Sequence, residues 1–358
     1  MSSRISFKKK IALELFRHFK KNTVKIHELQ YILWECTLKC NLSCRHCGSD
    51  CKKESGIKDM PVDHFLKAID SITEQVNPNK TIIVFTGGEP LLRKDLESCG
   101  NELYKRGFPW GIVTNGFLLN SQRLNSLLNA GLRSITISLD GMKESHNWLR
   151  GNINSFNNAI EAAKLLPKAL NLEYDIVTCV NQKNIDELSL LKETLIQIGI
   201  KEWRIFTIFP IGRAKECPEL QLSQAQFRQV LDFIKDTRIE NRIKLSYGCE
   251  GFLGEYEGEV RDNFFFCRAG INIASILADG SITGCPNLRE NFIQGNIYKD
   301  DFSQIWDRGF QKFRNRDWAK VDECANCESF KYCEGNGMHL HDEKSGKLLF
   351  CHLNRINE

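Results

Sequence analysis

The chain has 358 residues, of which 42% are hydrophobic and 26% charged, an ordinary globular composition that excludes global disorder. The net charge is +4, from 49 basic and 45 acidic residues, and this near balance gives no argument for nucleic-acid binding. No apolar run approaches the length of a membrane span, and the first ten residues lack the apolar core of a secretory signal. We therefore expect a cytoplasmic protein without a membrane span.

Fifteen cysteines are the unusual feature of the composition. The number is odd, and the chain is far longer than the small secreted domains that depend on disulfides, so complete internal pairing is excluded. Thiolates are the ligands that soft metals and iron–sulfur clusters select. The cysteines therefore predict metal or cluster ligation in a reducing compartment.

Basic residues dominate the start of the chain. Residues 1–25 contain eight Lys or Arg and one acid, Glu14, with apolar residues at partly helical spacing among them. We expect residues 1–29 to form a basic amphipathic helix on the outside of the main domain. An acidic peptide or a membrane surface is the alternative partner for this helix.

Residues 30–240 alternate between short apolar runs and longer amphipathic stretches. Six strands are predicted, at residues 30–37, 81–86, 110–114, 134–139, 173–180 and 202–209. Amphipathic segments between them, such as 62–76 and 185–198, are typical of crossover helices. This alternation predicts an α/β fold, a partial (β/α)6 parallel barrel, with functional residues at the carboxyl ends of its strands. After about residue 240 the alternation stops, so a separate cysteine-rich domain is expected at 241–358.

Three cysteines stand close together after the first predicted strand. Cys40, Cys44 and Cys47 have the spacing C-x3-C-x2-C. They leave a four-iron cluster one ligand short, and its fourth iron would then offer an open coordination site for a small molecule. A zinc knot is the alternative, although zinc sites usually pair C-x2-C with a second pair farther along the chain.

Further motifs end the next strands: Gly-Gly-Glu-Pro at 87–90 and Ser-Leu-Asp-Gly at 138–141. Together with the cysteine triplet, they resemble the radical S-adenosylmethionine (SAM) superfamily over residues 30–210. The resemblance implies that the open iron binds the amino and carboxylate groups of SAM. It also implies reductive cleavage of SAM to a 5′-deoxyadenosyl radical, which abstracts hydrogen from a substrate C–H bond. A low-potential electron donor such as flavodoxin or ferredoxin is then required.

The same resemblance implies roles for residues at the strand ends. The glycines of the 87–90 turn let its backbone approach the methionine amine of SAM. Ser138 and Asp140 match a site for the SAM ribose and carboxylate, and Arg150 matches an arginine that pairs with the carboxylate. A simple Asp-Gly turn and a solvated helix arginine are the alternatives. The candidate cofactor-binding residues are Gly87, Gly88, Glu89, Pro90, Ser138, Asp140 and Arg150.

The C-terminal cysteines resemble the SPASM extension of radical SAM enzymes that modify peptides and proteins, which carries up to two auxiliary four-iron clusters. By this resemblance, the distal auxiliary cluster has a complete set of ligands. Its four cysteines are Cys324, Cys327, Cys333 and Cys351. A zinc ribbon is the alternative for this region.

The nearer auxiliary cluster has an incomplete set. It keeps Cys249, Cys267 and Cys285, but the family's remaining cysteine falls on Gly337. We favour a cluster held by three cysteines with an open iron. The cluster could also be absent, or another side chain could replace the cysteine. The candidates for that replacement are Cys217, His339 and His341.

The combined resemblance indicates an enzyme that modifies a peptide or protein. A sulfatase-maturing role is disfavoured, because such enzymes carry an acid where this chain has Pro286. A small-molecule dehydrogenase on the same scaffold and a non-catalytic iron–sulfur electron-transfer protein are the alternatives. The sequence assigns no catalytic side chain.

Overall fold

The structure is a computed structural model that describes residues 5–357. Residues 1–4 of the predicted N-terminal helix lie outside the described residues. The strands of the described chain are β1 (Tyr31–Thr37), β2 (Ile82–Gly87), β3 (Trp110–Thr114), β4 (Leu132–Ser138), β5 (Glu173–Val180), β6 (Glu202–Thr207), β7 (Lys244–Tyr247), β8 (Ile273–Ile276), β9 (Ser281–Thr283) and β10 (Gly295–Asn296).

The helices surround this sheet and the C-terminal region. They are α1 (Phe7–Ile26), α2 (Val62–Ile72), α3 (Leu96–Lys105), α4 (Ser121–Asn129), α5 (Lys143–Arg150), α6 (Ser155–Leu165), α7 (Leu188–Ile198), α8 (Gln224–Glu240), α9 (Phe302–Arg308), α10 (Gln311–Arg314), α11 (Phe330–Cys333) and α12 (His352–Asn357). Within residues 5–357, no helix combines the length and the apolar character that crossing a bilayer requires.

The strands form one sheet in the order β10-β9-β8-β1-β2-β3-β4-β5-β6-β7. From β1 to β7, each strand is parallel to its neighbour and follows it in the chain. The six predicted strands all appear, each bound lying within two residues of its predicted position. The predicted α/β class with a partial parallel barrel is confirmed. The carboxyl ends of β1 to β6 therefore share one end of the sheet, where functional residues are expected.

The sheet continues on both sides of the six predicted strands. On one side, α8 leads to a seventh parallel strand, β7, so the strand–helix alternation runs one strand past residue 240. On the other side, β8 pairs in parallel with β1. The cysteine-rich C-terminal region thus extends the sheet that carries the barrel.

The N-terminal helix α1 packs on the cysteine-rich region. Its Lys20 is buried and pairs with Glu334, with 2.6 Å between Nζ and the carboxylate. Its Glu14 accepts hydrogen bonds from Lys331 at 2.6 Å and from the Tyr332 hydroxyl at 2.8 Å. The helix is therefore fixed to the segment around α11, rather than to the barrel helices.

Aromatic side chains join β1 to the elements beside it. Trp34 of β1 is fully buried and stacks on Phe65 of α2, with 3.9 Å between ring centroids. It also meets Phe85 of β2 edge to face at 5.2 Å. Since β1 leads directly into the first cysteine motif, this packing sets the position of the strand that carries the motif.

We expect Trp34→Ala to lower the free energy of unfolding by about 3–5 kcal/mol, because it removes a large buried ring and leaves a cavity. Denaturant unfolding followed by circular dichroism measures the loss. The control is Ile153→Ala at a side chain that is 80% exposed, where a change of less than about 0.5 kcal/mol is expected. Equal losses in the two variants would contradict the packing role of Trp34.

Candidate active site and metal centres

Cys40, Cys44 and Cys47 lie in an irregular loop, residues 38–51, which we name the cysteine loop. Backbone hydrogen bonds fix it to elements distant in sequence. Arg45 N donates to Leu149 O at the end of α5 at 2.8 Å, and Arg213 N donates to Cys47 O at 3.1 Å. The loop is therefore held by the ends of other barrel units, although it has no regular structure of its own.

The turn after β2 packs backbone to backbone against the cysteine loop. Gly88 N donates to Thr37 O at 2.7 Å, and Glu89 N donates to Lys39 O at 2.9 Å. A Cβ atom at Gly87 would lie 2.2 Å from Thr37 O, and one at Gly88 would lie 2.0 Å from Lys39 O. The close packing of the two segments thus already requires both glycines, independently of any cofactor contact. Pro90 begins the short helical turn that follows.

Glu89 is fully buried and links the end of β2 to the end of β3. Its carboxylate accepts hydrogen bonds from Thr114 Oγ1 at 2.7 Å and from Asn115 N at 2.8 Å. Burial raises the pKa of Glu89, although these hydrogen bonds oppose the rise. Asn115 in turn donates from Nδ2 to Asn41 Oδ1 at 2.8 Å, with Cys40 Sγ at 3.9 Å. Glu89 therefore orients Asn115, whose side chain faces a cysteine of the loop.

Asp140 and Arg150 form a buried ion pair beside the cysteine loop. Arg150 Nε lies 2.5 Å from Asp140 Oδ2, and Arg150 Nη1 lies 3.7 Å from Cys44 Sγ. The other carboxylate oxygen of Asp140 accepts the backbone N–H of Cys179 at 2.8 Å. Burial alone would raise the pKa of Asp140, but Arg150, together with smaller contributions that include the Cys179 N–H, outweighs burial, and the pKa is lowered. Both groups are thus charged, and the guanidinium stands next to a candidate cluster ligand.

The structure places Ser138 at the end of β4, half-buried, two residues before this ion pair. His46, between the second and third cysteines of the loop, lies close to Asp140 and Cys179, with ligand atoms within 4.8 Å of one another. Burial lowers the pKa of His46 to about 4, so its imidazole is neutral. The neutral ring adds no further charge beside the ion pair.

The surroundings of the three thiols suit a bound iron–sulfur cluster. Each sulfur faces an N–H group: Asn115 Nδ2 for Cys40, Arg150 Nη1 for Cys44, and Cys51 N for Cys47 at 3.4 Å. Such groups stabilise metal-bound sulfur and tune the cluster potential. Burial raises the pKa of Cys40 to about 11. A bound metal deprotonates coordinating thiols outright. Bound iron would therefore stabilise the thiolate form, which burial alone disfavours.

The four cysteines of the predicted distal site come together. They line one small cavity, and the backbone N–H of Asn336 donates to Cys333 Sγ at 3.1 Å. The four side chains are Cys324, Cys327, Cys333 and Cys351. This arrangement fits a closed four-thiolate site.

The three cysteines of the nearer site are also neighbours. Burial raises the pKa of Cys285 to about 12, and the adjacent Cys249 and Cys267 add to the rise. The backbone N–H of Met338 donates to Cys267 Sγ at 3.5 Å. The segment that follows Gly337 thus runs directly past this group.

The comparisons with known proteins agree with this geometry. Residues 34–194 match the family model of the radical SAM superfamily, and residues 267–328 match that of SPASM, an iron-sulfur cluster-binding domain. The chain thus carries a radical SAM domain and a SPASM domain. Its cofactors are accordingly a four-iron cluster with SAM, together with auxiliary iron–sulfur clusters.

Relatives of this radical SAM protein include enzymes with different substrates. It is 27% identical to the AdoMet-dependent heme synthase of Nitratidesulfovibrio vulgaris over 85% of this chain and 86% of that protein. It is also 27% identical to the mycofactocin maturase MftC of Mycolicibacterium smegmatis, over 86% of this chain and 77% of that one. Native anSMEcpe with bound AdoMet has a similar fold, with a TM-score of 0.70 at 20% identity, over 92% of this chain and 94% of that one.

Two residues of the radical SAM site were not predicted from the sequence. Cys51 has no partner pattern there, yet its backbone N–H and thiol both contact Cys47. Asn115 caps a turn through its Oδ1, which accepts the N–H of Phe117 at 2.9 Å. Its contact with Cys40 depends on the meeting of two loops. The sequence signal for Asn115 was its position directly after a parallel strand.

We expect Arg150→Met to lower the free energy of unfolding by about 3–5 kcal/mol, because it leaves the Asp140 carboxylate buried without its partner. Adding Asp140→Asn should recover much of this loss, since the remaining side chains then carry no charge. A double-mutant cycle by denaturant unfolding measures the coupling. Additive losses from the two single changes would contradict the ion pair.

The ion pair also predicts a dependence on pH. The folded-state pKa of Asp140 is lowered, so its contribution is present above the ordinary Asp pKa of about 4 and is lost as pH falls through the lower folded value. In Arg150→Met this acid-side loss should shrink. Thermal midpoints measured from pH 7 down to acid conditions test the difference; parallel curves for the two proteins would speak against it.

Proposed function

We propose that this radical SAM enzyme acts on a peptide or protein substrate. The observation that carries the proposal is an apolar stripe on the outer face of α1. Its four side chains are between 49% and 80% exposed and recur every four residues, so they share one face of the helix. They are Phe7, Ile11, Leu15 and Phe19.

The α1 stripe has the chemistry of a docking surface. Large exposed apolar patches on soluble proteins mark interaction sites more often than chance exposure does. Exposed lysines flank the stripe, among them Lys8, Lys10 and Lys21. A peptide with apolar side chains and acidic residues would complement both features, and the relatedness to mycofactocin maturase and to PqqA peptide cyclase gives further support.

Residues at the carboxyl ends of the barrel strands would have separate roles in the reaction. When bound, the cluster and SAM supply the abstraction of a hydrogen atom from the substrate. Cys40, Cys44 and Cys47 would hold the cluster. Asn115 would contribute a hydrogen bond to the sulfur of Cys40, and Arg150 a positive charge next to the sulfur of Cys44. A low-potential donor such as flavodoxin or ferredoxin would deliver the electron. The need for reduced thiols supports a cytoplasmic location for the enzyme.

A second candidate substrate is a tetrapyrrole. It is supported by the AdoMet-dependent heme synthases, and by an Fe-coproporphyrin III synthase of Methanosarcina barkeri that is 25% identical over 85% of this chain. The same hydrogen abstraction would then act on the tetrapyrrole, and α1 would take no part in binding it.

Anaerobic enzyme with dithionite and SAM should release 5′-deoxyadenosine, measured by chromatography. Replacing the three cysteines of the loop with alanine should abolish the release, because the cluster then loses its ligands. The control is Cys99→Ala, a buried core position, which should retain it. Undiminished release from the triple variant would overturn the site assignment.

The α1 stripe separates the two substrate classes. Leu15→Asp combined with Phe19→Asp should raise the KM for a peptide substrate at least about tenfold, the loss of about 1.4 kcal/mol of binding. Release of 5′-deoxyadenosine without substrate should not change. The control is Ile239→Asp on α8, at a side chain that is 74% exposed. The tetrapyrrole would be favoured instead if the enzyme turned over iron-coproporphyrin but no peptide. The α1 variant should then turn over iron-coproporphyrin as well as the unchanged enzyme does.

A further inference from the structure

The gap in the nearer auxiliary site has a defined shape. Gly337 N donates to Glu250 O at 2.8 Å, which fixes the backbone at the position of the absent cysteine. A Cβ atom at Gly337 would lie 2.7 Å from the backbone oxygen of Glu250, and 2.7 Å from Cε1 and 3.0 Å from Nδ1 of His339. The imidazole ring of His339 therefore occupies the space that a cysteine side chain at this position would take.

His339 has a buried ring nitrogen that is available to bind a metal. The residue is 9% exposed, and its Nε2 is buried with no hydrogen-bond partner among the described residues. A buried polar nitrogen without a partner is costly, so such an atom requires an explanation. The ring packs against Phe209, with 4.7 Å between centroids. The residue before it, Met338, contacts Cys267 Sγ through its backbone N–H.

The other two replacement candidates are occupied elsewhere. Both ring nitrogens of His341 contact backbone carbonyls, Gly335 O at 2.7 Å and Gly346 O at 3.0 Å. Cys217 packs in an apolar cluster with Ile208 and Leu220, which contains none of the three cysteines of the nearer site. His341 therefore has both ring nitrogens engaged, and Cys217 belongs to a different cluster of side chains.

We infer that His339 is the fourth ligand of the nearer auxiliary cluster, beside Cys249, Cys267 and Cys285. The inference builds on the SPASM cofactor assignment and is independent of the substrate. Imidazole is an established ligand of iron–sulfur clusters, and replacing thiolate by a neutral ring raises the reduction potential. The cluster would then have no open iron for substrate, and it would suit an electron acceptor better than an all-cysteine cluster. This differs from the three-cysteine site that the sequence favours.

The test uses the full chain with Cys40, Cys44 and Cys47 changed to alanine, so that spectra report the auxiliary clusters alone. In reduced protein, pulsed electron paramagnetic resonance should detect nitrogen hyperfine coupling. The coupling should change to the 15N pattern when histidine is 15N-labelled. Absence of this coupling in a protein that holds about eight irons, two full clusters, would overturn the inference.

Two variants separate ligation from packing. His339→Phe keeps a ring against Phe209 but cannot bind iron. The nitrogen coupling should therefore vanish, and the iron content should fall below the about eight atoms per chain that two full clusters contain. His339→Cys restores a thiolate, so the iron count should be kept and the reduction potential should shift downward. Unchanged coupling and iron in His339→Phe would show that the ring only packs.

Two controls distinguish loss of ligation from misfolding. Cys217→Ala should leave both the coupling and the iron count unchanged. The distal cluster serves as an internal standard, because loss of its signal in His339→Phe would indicate global damage. In that event, His339→Cys decides alone: an unshifted potential would refute ligation by His339.

Discussion

The candidate site depends on the position of the cysteine loop, which has no helix or strand of its own and is held by other elements. The cysteine loop carries the three thiols that are proposed to hold one cluster, yet its own residues form no strand or helix. Its backbone is instead bonded to the turn after β2, to the end of α5 and to the segment after β6. Each of these elements is fixed by the parallel sheet, so the sheet sets the geometry of the loop indirectly. This explains why both glycines of the β2 turn are required by packing, since any side chain there would push the loop away.

Buried carboxylates provide the second level of support. Glu89 links two strand ends, and Asp140 holds the guanidinium that faces Cys44. Glu35, at the end of β1, pairs with Arg289 of the SPASM domain, which also contacts Ser49 of the cysteine loop. A buried charge is tolerated only with a partner, so each pair fixes two elements relative to each other. The Glu35 pair ties the C-terminal domain to the loop.

The sequence predicted well those features that short-range patterns determine. The six strands follow from apolar runs, and the spacing of Cys40, Cys44 and Cys47 is itself a local pattern. The four residues of β7 are too few to give a clear alternation, and the strand was missed. Asp140 is predicted to bind the ribose and carboxylate of SAM, and the structure adds two partners that the sequence pattern does not indicate, Arg150 and the backbone N–H of Cys179. That outcome depends on the meeting of β4, α5 and β5, which no local pattern encodes.

The loops of the two proposed auxiliary sites share one structural support, the buried side chain of Glu250. Glu250 follows Cys249 and is fully buried, accepting hydrogen bonds from Thr207 N at 2.7 Å and from the Tyr247 hydroxyl. His352, next to Cys351, lies 3.4 Å from the same carboxylate. The loops of both auxiliary sites are thus tied to one buried acid. The backbone carbonyl of Glu250 also accepts the N–H of Gly337, which fixes the backbone at that position.

With the backbone fixed in this way, the space at Gly337 cannot close by collapse of the loop. Only a side chain from nearby can fill it, and His339 lies two residues further along the same turn. Its ring reaches back over Gly337, where the absence of a side chain makes room for it. The glycine and the histidine are therefore complementary: a cysteine at 337 would displace the ring, and a residue without a metal-binding group at 339 would leave the cluster one ligand short.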